Sequence, residues 1–150
     1  MRDGRTGTGR TTNPSVAEQV AAREGRVVDL EQTVADLVDT CYRHVDAKRT
    51  TDLIRLFAAN AVYHRPGYEP IVGREALARF YAGERVIDRG QHFVENRIVS
   101  GGQIAIQGTF RGVLDDGTRV QFRFADFFRF ERGLIVERSS YLGDPVGRPI

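Results

Sequence analysis

The sequence predicts an α+β domain in which helices pack on one face of an antiparallel sheet. Two observations carry this prediction. Apolar residues recur at helical spacing between residues 29 and 82, and from residue 91 onward they recur at every second position. A chain of 150 residues leaves room for one such domain, which can bury a core without disulfides.

Three helices are predicted ahead of the sheet, each with its apolar residues on one face. The first begins at Asp29, which can cap it, and carries Cys41 in the middle of its apolar face. The predicted helical ranges are 29–47, 52–59 and 74–82, with a short extended segment at 61–65.

The remainder of the chain is predicted to form four strands joined by tight turns. Glycine pairs or Asp-Gly and Arg-Gly sequences separate the strands, as expected for hairpins. The predicted strand ranges are 91–100, 103–114, 118–131 and 134–142.

Both ends of the chain are predicted to lie outside the domain, which spans residues 27–143. Residues 1–26 are rich in Gly, Thr and Arg and poor in large apolar groups, so we expect a disordered tail with at most a short helix at 16–23. Residues 144–150 are rich in proline and glycine and are predicted to form a second tail.

Composition and charge argue against several classes of protein. Hydrophobic residues make up 41% and charged residues 28%, and no stretch reaches the length of a membrane span. The net charge of +2 resides in residues 1–26, so no basic face for nucleic acid is predicted on the domain. The N-terminus lacks the apolar core of a secretory signal, and we expect a cytoplasmic protein.

The strand predicted at 118–131 alternates strictly between polar and apolar residues. Because side chains two positions apart share one face of a sheet, its even positions form one face. That face carries the carboxyl group of Asp126 among apolar neighbours, which are Val120, Phe122, Phe124, Phe128 and Phe130. The even face is therefore predicted to be buried, with Asp126 in its middle.

A carboxyl group at such a position requires a special environment. An ionised carboxylate among apolar groups is costly unless it is paired or becomes neutral. A carboxyl held in an apolar cavity can donate a proton near neutral pH, which makes Asp126 the first candidate for catalysis. The alternative is that Asp126 pairs internally, with an arginine or with His64, and only fixes the core.

Three segments of the chain form a familiar pattern, LIRLFAANAVYHRPG (53–67), VGREALARFY (72–81) and FADFFRFERGLIVERSSYLGD (124–144). They resemble the NTF2-like superfamily, in particular its SnoaL-like and ketosteroid isomerase branches. The resemblance covers about residues 29 to 143. It implies a cone-shaped fold, with three N-terminal helices packed on a curved antiparallel sheet that encloses a pocket, and it implies a homodimer formed through the sheet.

The resemblance also implies a role for Asp126. This residue falls on the position of the acid that ketosteroid isomerases use to stabilise an oxyanion, and of the acid/base aspartate of SnoaL-like cyclases. Arg65 stands where the isomerases have their general base, and Cys41 where they have a tyrosine, with Tyr42 one residue away. Steroid isomerisation by the usual mechanism is therefore not expected. Limonene epoxide hydrolases share this fold and need one Arg and two Asp at pocket positions. This sequence has no matching trio, so that activity is not expected either.

His64 is the predicted second proton-transfer group, because imidazole titrates near neutral pH; the alternative is an exposed histidine at a strand end. Arg65 could bind an enolate oxygen, although neighbours on a strand face opposite ways. His92, at the start of a strand, is expected to be exposed. The other candidates for substrate binding, each of which could instead be a core aromatic, are Tyr42, Tyr63, Tyr81, Phe124 and Phe128.

Together these features predict a cofactor-independent isomerase or cyclase that acts on a small apolar carbonyl compound, polyketide-like or steroid-like. No metal-ligand spacing and no nucleotide-binding motif is present in the sequence, so no cofactor is predicted. The alternatives are a non-catalytic ligand-binding protein and a dimerisation module, the latter indicated by Phe127 on the polar face of its strand. The expected partners are a small apolar molecule and a second copy of the chain, and neither nucleic acid nor a membrane.

Overall fold

The structure, a computed structural model, describes residues 13–143. Its helices are α1 (Val16–Asp46), α2 (Thr50–Ile54) and α3 (Arg74–Arg79), and α3 continues into a π-helical turn (Phe80–Glu84). Its strands are β1 (Phe57–His64), β2 (Ile71–Val72), β3 (Ile87–Ser100), β4 (Gln103–Leu114), β5 (Arg119–Glu131) and β6 (Leu134–Leu142). The predicted α+β class is confirmed.

The six strands form one open sheet in the order β2-β1-β6-β5-β4-β3. All neighbouring strands are antiparallel except β1 and β6, which run parallel, so the sheet is mixed and not purely antiparallel as predicted. The parallel pair sets Tyr63 beside Arg138. Shifts of register in β3 and near the end of β5 mark bulges, which bend strands and curve the sheet.

Helix α1 begins at Val16, and the predicted start at Asp29 was wrong. Ser15 and Glu18 form a capping box, in which Ser15 Oγ accepts the Glu18 N–H at 3.2 Å and the Glu18 carboxylate accepts the Ser15 N–H at 2.5 Å. This pair satisfies two N–H groups that a helix start otherwise leaves unpaired, and it was missed in the sequence.

The N-terminal segment of α1 is helical throughout, where a disordered tail with at most a short helix at 16–23 was predicted. Residues 16–26 form its first turns, and their side chains are exposed. The segments 1–12 and 144–150, on which the remaining tail predictions fall, lie outside the described residues. The division of the chain into two tails and a domain at 27–143 therefore stays a prediction.

The boundary between α2 and β1 also differs from the prediction. Helix α2 ends at Ile54 and the strand begins at Phe57, whereas a helix was predicted over 52–59. Phe57 pairs with Ile135 of β6, and the Ile135 N–H donates to the Leu56 carbonyl at 2.8 Å. Pairing with a distant strand thus outweighs the local helical spacing.

The core lies between α1 and the inner face of the sheet. Helix α1 buries one stripe of side chains, Val34, Val38, Cys41, Tyr42 and Val45. Along β5, burial alternates residue by residue in the predicted phase, with the even positions inside. Within the described part of the chain, no helix is both long and apolar enough to cross a lipid bilayer.

A pair of glycines lets one aromatic ring lie flat against this sheet. Gly90 of β3 and Gly112 of β4 are paired, and a Cβ on either residue would overlap the ring of Phe110. Phe110 is fully buried there and stacks on Phe122 with ring centroids 5.2 Å apart. The ring forms part of the wall of the cavity described next.

Candidate active site

A cavity opens between the C-terminal part of α1, the π-helical turn and the inner face of the sheet. Its volume is about 80 Å³. Aromatic rings of β4 and β5 form an apolar wall, with Phe110, Phe122 and Phe124. Polar groups from β5 and β6 stand beside that wall, among them Asp126 and Arg138. The cavity therefore combines an apolar body with a few polar groups, as small-molecule sites do.

Three donors converge on the carboxylate of Asp126. Arg138 Nη2 donates to Oδ2 at 2.6 Å, and the Tyr42 hydroxyl donates to the same oxygen at 2.8 Å. The Ser140 hydroxyl donates to Oδ1 at 2.5 Å. Strand pairing places Arg138 and Ser140, because Asp126 is opposite Ser140 and Phe128 is opposite Arg138 in the β5–β6 ladder, whereas Tyr42 comes from α1.

These contacts are those of an ionised carboxylate and not of a neutral acid. Asp126 is 1% exposed and Arg138 4%, so the pair is buried. Burial is the largest influence and works to lower the pKa of Arg138. The charge of Asp126, together with smaller contributions from Tyr63, Tyr81 and Cys41, outweighs it, so the pKa of Arg138 stands above its ordinary value. The internal pairing with an arginine, foreseen as the alternative, is present. Even so, Asp126 is not sealed off, because it still lines the cavity.

A second layer of hydrogen bonds extends from Asp126 to two tyrosines of the cavity wall. The Tyr63 and Ser140 hydroxyl oxygens are 3.0 Å apart. Since the Ser140 hydrogen is used on Asp126, Tyr63 is the donor in this pair. Arg138 Nη1 donates to the Tyr81 hydroxyl oxygen at 2.9 Å. The hydrogen of the Tyr81 hydroxyl therefore stays free to donate, and no acceptor for it lies within residues 13–143.

Burial keeps the Tyr81 hydroxyl protonated. It raises the pKa of Tyr81, and the charge of Arg138 offsets only part of that rise. A neutral phenol in contact with a guanidinium is a polarised donor, since hydrogen bonds assisted by a charge are stronger than neutral ones. Tyr81 sits on the π-helical turn, a feature that often occurs at functional sites.

His92 lies inside the cavity and not on the surface, so the expectation of an exposed residue was wrong. Its Nδ1 is 2.6 Å from Asp46 Oδ1, and its backbone N–H donates to Asp46 Oδ2 at 2.9 Å. Its ring stacks on Tyr42 with centroids 4.6 Å apart. The Asp46 carboxylate can only accept, so Nδ1 carries the hydrogen and Nε2 has the free lone pair.

The charge state of His92 follows from its surroundings. Burial lowers the pKa of His92, although the hydrogen bond and the charge of Asp46 act in the opposite direction. The imidazole is therefore neutral at neutral pH. No hydrogen-bond partner for its Nε2 is found in the described part of the chain.

His64 lies outside the cavity, and its predicted role as the second proton-transfer group does not fit this position. Its side chain is 46% exposed, and Nε2 is 3.5 Å from Glu137 Oε1. Tyr63 of β1 and Arg65, which directly follows the strand, line the cavity instead. Alternation along the strand separates them, because adjacent side chains point to opposite faces.

The other predicted residues divide into two groups. Tyr63, Arg65, Tyr81 and Phe124 line the cavity. Tyr42 and Phe128 are buried beside Asp126 but are not part of the cavity lining, and their rings meet edge to face with centroids 6.0 Å apart. Tyr42 holds the Asp126 carboxylate from the core side.

Four polar residues of the site were not proposed from the sequence: Arg85, His92, Arg138 and Ser140. A signal for two of them was available. Arg138 and Ser140 occupy alternate positions of β6, in phase with Leu142, and both are buried. They are polar residues at inward-facing positions of β6, as Asp126 is at an inward-facing position of β5. Among residues 13–143, no three His, Cys, Asp or Glu side chains come together as metal ligands would.

The chain is similar in sequence to one protein family and in structure to many proteins. The SnoaL-like domain matches residues 38–138, whereas no curated protein matches in sequence. A proposed SnoaL-like polyketide cyclase from Jannaschia sp. CCS1 superposes with a TM-score of 0.68 at 18% identity, over 75% of this chain and 87% of that chain.

Two further solved structures have similar values. An LEH-like epoxide hydrolase from M. tuberculosis has a TM-score of 0.68 at 15% identity, over 75% of this chain and 84% of that chain. A proposed ketosteroid isomerase from Kribbella flavida DSM 17836 has a TM-score of 0.65 at 19% identity, over 80% of this chain and 84% of that chain. Likeness at these identities establishes the fold and not an activity. Because the matched segment 38–138 is more than half of the chain, the protein belongs to the SnoaL-like domain family.

Proposed function

We propose that this protein is a cofactor-independent enzyme that moves a proton on a small apolar carbonyl compound, as an isomerase or a cyclase. One observation carries the proposal. A neutral imidazole, His92, and a polarised hydroxyl, Tyr81, line the same aromatic-walled cavity. Proton abstraction next to a carbonyl needs a base and a donor for the developing enolate oxygen, and the two side chains are of these types.

Two groups of the cavity can accept the proton, Asp126 and His92. Asp126 already accepts three hydrogen bonds from Tyr42, Arg138 and Ser140, so both of its oxygens are engaged within the protein. His92 is held by Asp46 through Nδ1 and has a free lone pair on Nε2. We therefore assign proton removal to His92. The role of Asp126 is to fix Arg138, which in turn polarises Tyr81.

The proposed reaction begins at the carbon next to the substrate carbonyl. His92 Nε2 takes a proton from that carbon, and the electrons of the broken C–H bond form the enolate. The Tyr81 hydroxyl donates a hydrogen bond to the enolate oxygen. In an isomerisation His92 returns the proton to another carbon. In a cyclisation the enolate carbon attacks a second carbonyl of the same molecule, and that oxygen receives the proton.

The comparison with solved structures supports both forms of the reaction without deciding between them. Proteins named as a polyketide cyclase and as a ketosteroid isomerase share the fold. Activities vary widely on one fold, so the support lies in the cavity and its side chains, and the names supply only the substrate class to try first.

Deuterium exchange tests the proposal without knowledge of the natural substrate. A panel of 1,3-diketones, β-keto esters and cyclic enones is incubated in D₂O at neutral pD, and NMR follows loss of the α-hydrogen. We expect the wild-type protein to accelerate exchange for some of these compounds. His92→Gln should abolish the acceleration, and the matched control His64→Gln, on the outer face, should keep it. Binding of these compounds without accelerated exchange would contradict the proposal.

A non-catalytic ligand-binding protein is the second candidate, and one observation favours it. The Asp126 carboxylate is already neutralised by Arg138 at 2.6 Å, as expected of a structural anchor. Such a protein would bind members of the same panel by calorimetry, and His92→Gln would change affinity but no rate.

We also propose that two copies of the chain associate through the outer face of the sheet. Phe127 is 51% exposed and Tyr141 60%, and their rings meet edge to face with centroids 5.8 Å apart. Exposed aromatic pairs are typical of protein contacts. Sedimentation should give a dimer at micromolar concentration, and Phe127→Ser should shift it to a monomer. A wild-type monomer under these conditions would rule out the association.

A further inference from the structure

The cavity carries more positive than negative charge. Three arginines line it, Arg65, Arg85 and Arg138, and Asp126 is the one carboxylate in the lining that the described residues provide. Asp126 is already paired with Arg138 at 2.6 Å. Arg65 and Arg85 are therefore left without a countercharge in the cavity.

Arg85 follows the π-helical turn and is partly buried. Its guanidinium makes neither a hydrogen bond nor an ion pair with any side chain in residues 13–143, and its nearest aromatic contact is the Phe110 ring, whose centroid is 5.8 Å away. Burial lowers the pKa of Arg85, which means that its charge is poorly solvated there. A cation that is partly removed from water is stabilised by an accompanying anion.

Arg65 shows an independent sign of a missing partner. Its guanidinium lies between two rings, 4.3 Å from the centroid of Tyr68 and 4.0 Å from that of Phe80. This stack fixes the plane of the guanidinium and leaves its edge for hydrogen bonds. Its Nε is buried and has no acceptor within the described residues. The arrangement is that of an arginine oriented in advance for a planar anion.

We propose that the molecule bound in this cavity carries a carboxylate, which Arg85 and Arg65 hold, on an apolar or aromatic body. A guanidinium matches a carboxylate in shape and can donate two parallel hydrogen bonds to it. The apolar body packs on the rings of Phe110, Phe122 and Phe124. The proposed function is the basis for regarding this molecule as a substrate, which would then be a carbonyl compound with a carboxylate.

Matched pairs of aromatic probes test the charge requirement. Binding of 2-naphthoate and of 2-naphthamide, which has the same shape without the charge, is measured by isothermal titration calorimetry at low ionic strength. We expect the wild-type protein to bind the acid about ten- to a hundredfold more tightly than the amide, the range for hydrogen bonds to a charged group. Arg85→Gln should reduce this preference at least tenfold, and Arg65→Gln should also reduce it.

Arg123→Gln is the matched control, since Arg123 is 61% exposed and paired with Glu95 on the outer face. The control should keep the preference for the acid. Equal affinity of the wild-type protein for acid and amide would overturn the proposal, as would absence of binding by either probe. A preference that survives in both Arg85→Gln and Arg65→Gln would do the same. Circular dichroism checks that each variant is folded.

The outcome is separable from that of the proposed function. If the protein prefers the acid but accelerates deuterium exchange on no compound, the proposal of a carboxylate site stands and the proposed enzymatic function is wrong. If the protein accelerates exchange on neutral ketones but binds acid and amide equally, the proposed enzymatic function stands and the proposal of a carboxylate site is wrong.

Discussion

Replacement of Asp126 by Asn should destabilise the fold strongly. The substitution retains the shape of the side chain but removes the charge that faces Arg138 at 2.6 Å. Arg138 is 4% exposed, so its guanidinium would remain buried without a countercharge. Removal of one partner of a buried ion pair costs about 3–5 kcal/mol. The amide nitrogen would in addition face a donor, because all three groups around Asp126 donate to it.

Urea unfolding at neutral pH measures this cost. With a slope of about 2 kcal/mol/M, a loss of about 4 kcal/mol lowers the midpoint by about 2 M. Glu137→Gln is the control on the neighbouring strand, where Glu137 pairs with Arg129 at 3.3 Å on the exposed side. That variant should change stability by less than about 1 kcal/mol. A loss of under about 1 kcal/mol in Asp126→Asn would refute the account of a buried, charged pair.

Two further predictions concern Tyr81 and His92. Tyr81→Phe removes the proposed donor to the enolate oxygen. We expect deuterium exchange, followed by NMR of the panel compounds, to slow about a hundredfold or more with little loss of binding. An unchanged exchange rate would show that Tyr81 has no part in the mechanism. The pKa of His92 in the folded state is lowered by burial, against the charge of Asp46, so the unfolded chain binds a proton more readily. Its contribution to stability is therefore complete above about pH 6.5 and is lost as the pH falls below that value. Urea unfolding at pH 7 and pH 5 should show a larger loss for the wild-type protein than for His92→Gln, and equal losses would contradict the lowered pKa.

The buried carboxyl was predictable because alternation along a strand is a local property. Asp126 is in phase with four phenylalanines of one strand, and no knowledge of neighbouring strands is needed to infer its burial. Its partner was not predictable in the same way. Arg138 reaches Asp126 through the register of the β5–β6 ladder, which a single sequence leaves open.

The positions of His64 and His92 were predicted wrongly for the same reason, because they depend on pairing between distant segments. Whether His64 or Arg65 faces the cavity depends on which face of β1 packs inward, and the parallel pairing of β1 with β6 decides this. His92 is buried because Asp46, at the end of α1, accepts from both its ring and its backbone N–H. Contacts between residues so far apart in the chain are set by tertiary packing and carry no local signature in the sequence.

Two helix boundaries were also predicted wrongly, the end of α2 and the start of α1. Residues 52–59 have helical spacing, yet Phe57 belongs to a strand because it pairs with Ile135. The start of α1 did have a local signature, the Ser15 and Glu18 capping box, in a segment whose composition pointed to disorder. The capping box was the better guide to this segment.

The central claim is that a neutral His92, held by Asp46, is the proton acceptor of the cavity. Nitrogen-15 NMR of the wild-type protein labelled at histidine tests it directly, with His92→Gln identifying the signals. The account predicts that at pH 7 the Nδ1 shift is that of a protonated nitrogen and the Nε2 shift that of a free lone pair. An imidazolium at pH 7, or a hydrogen on Nε2, would contradict the account.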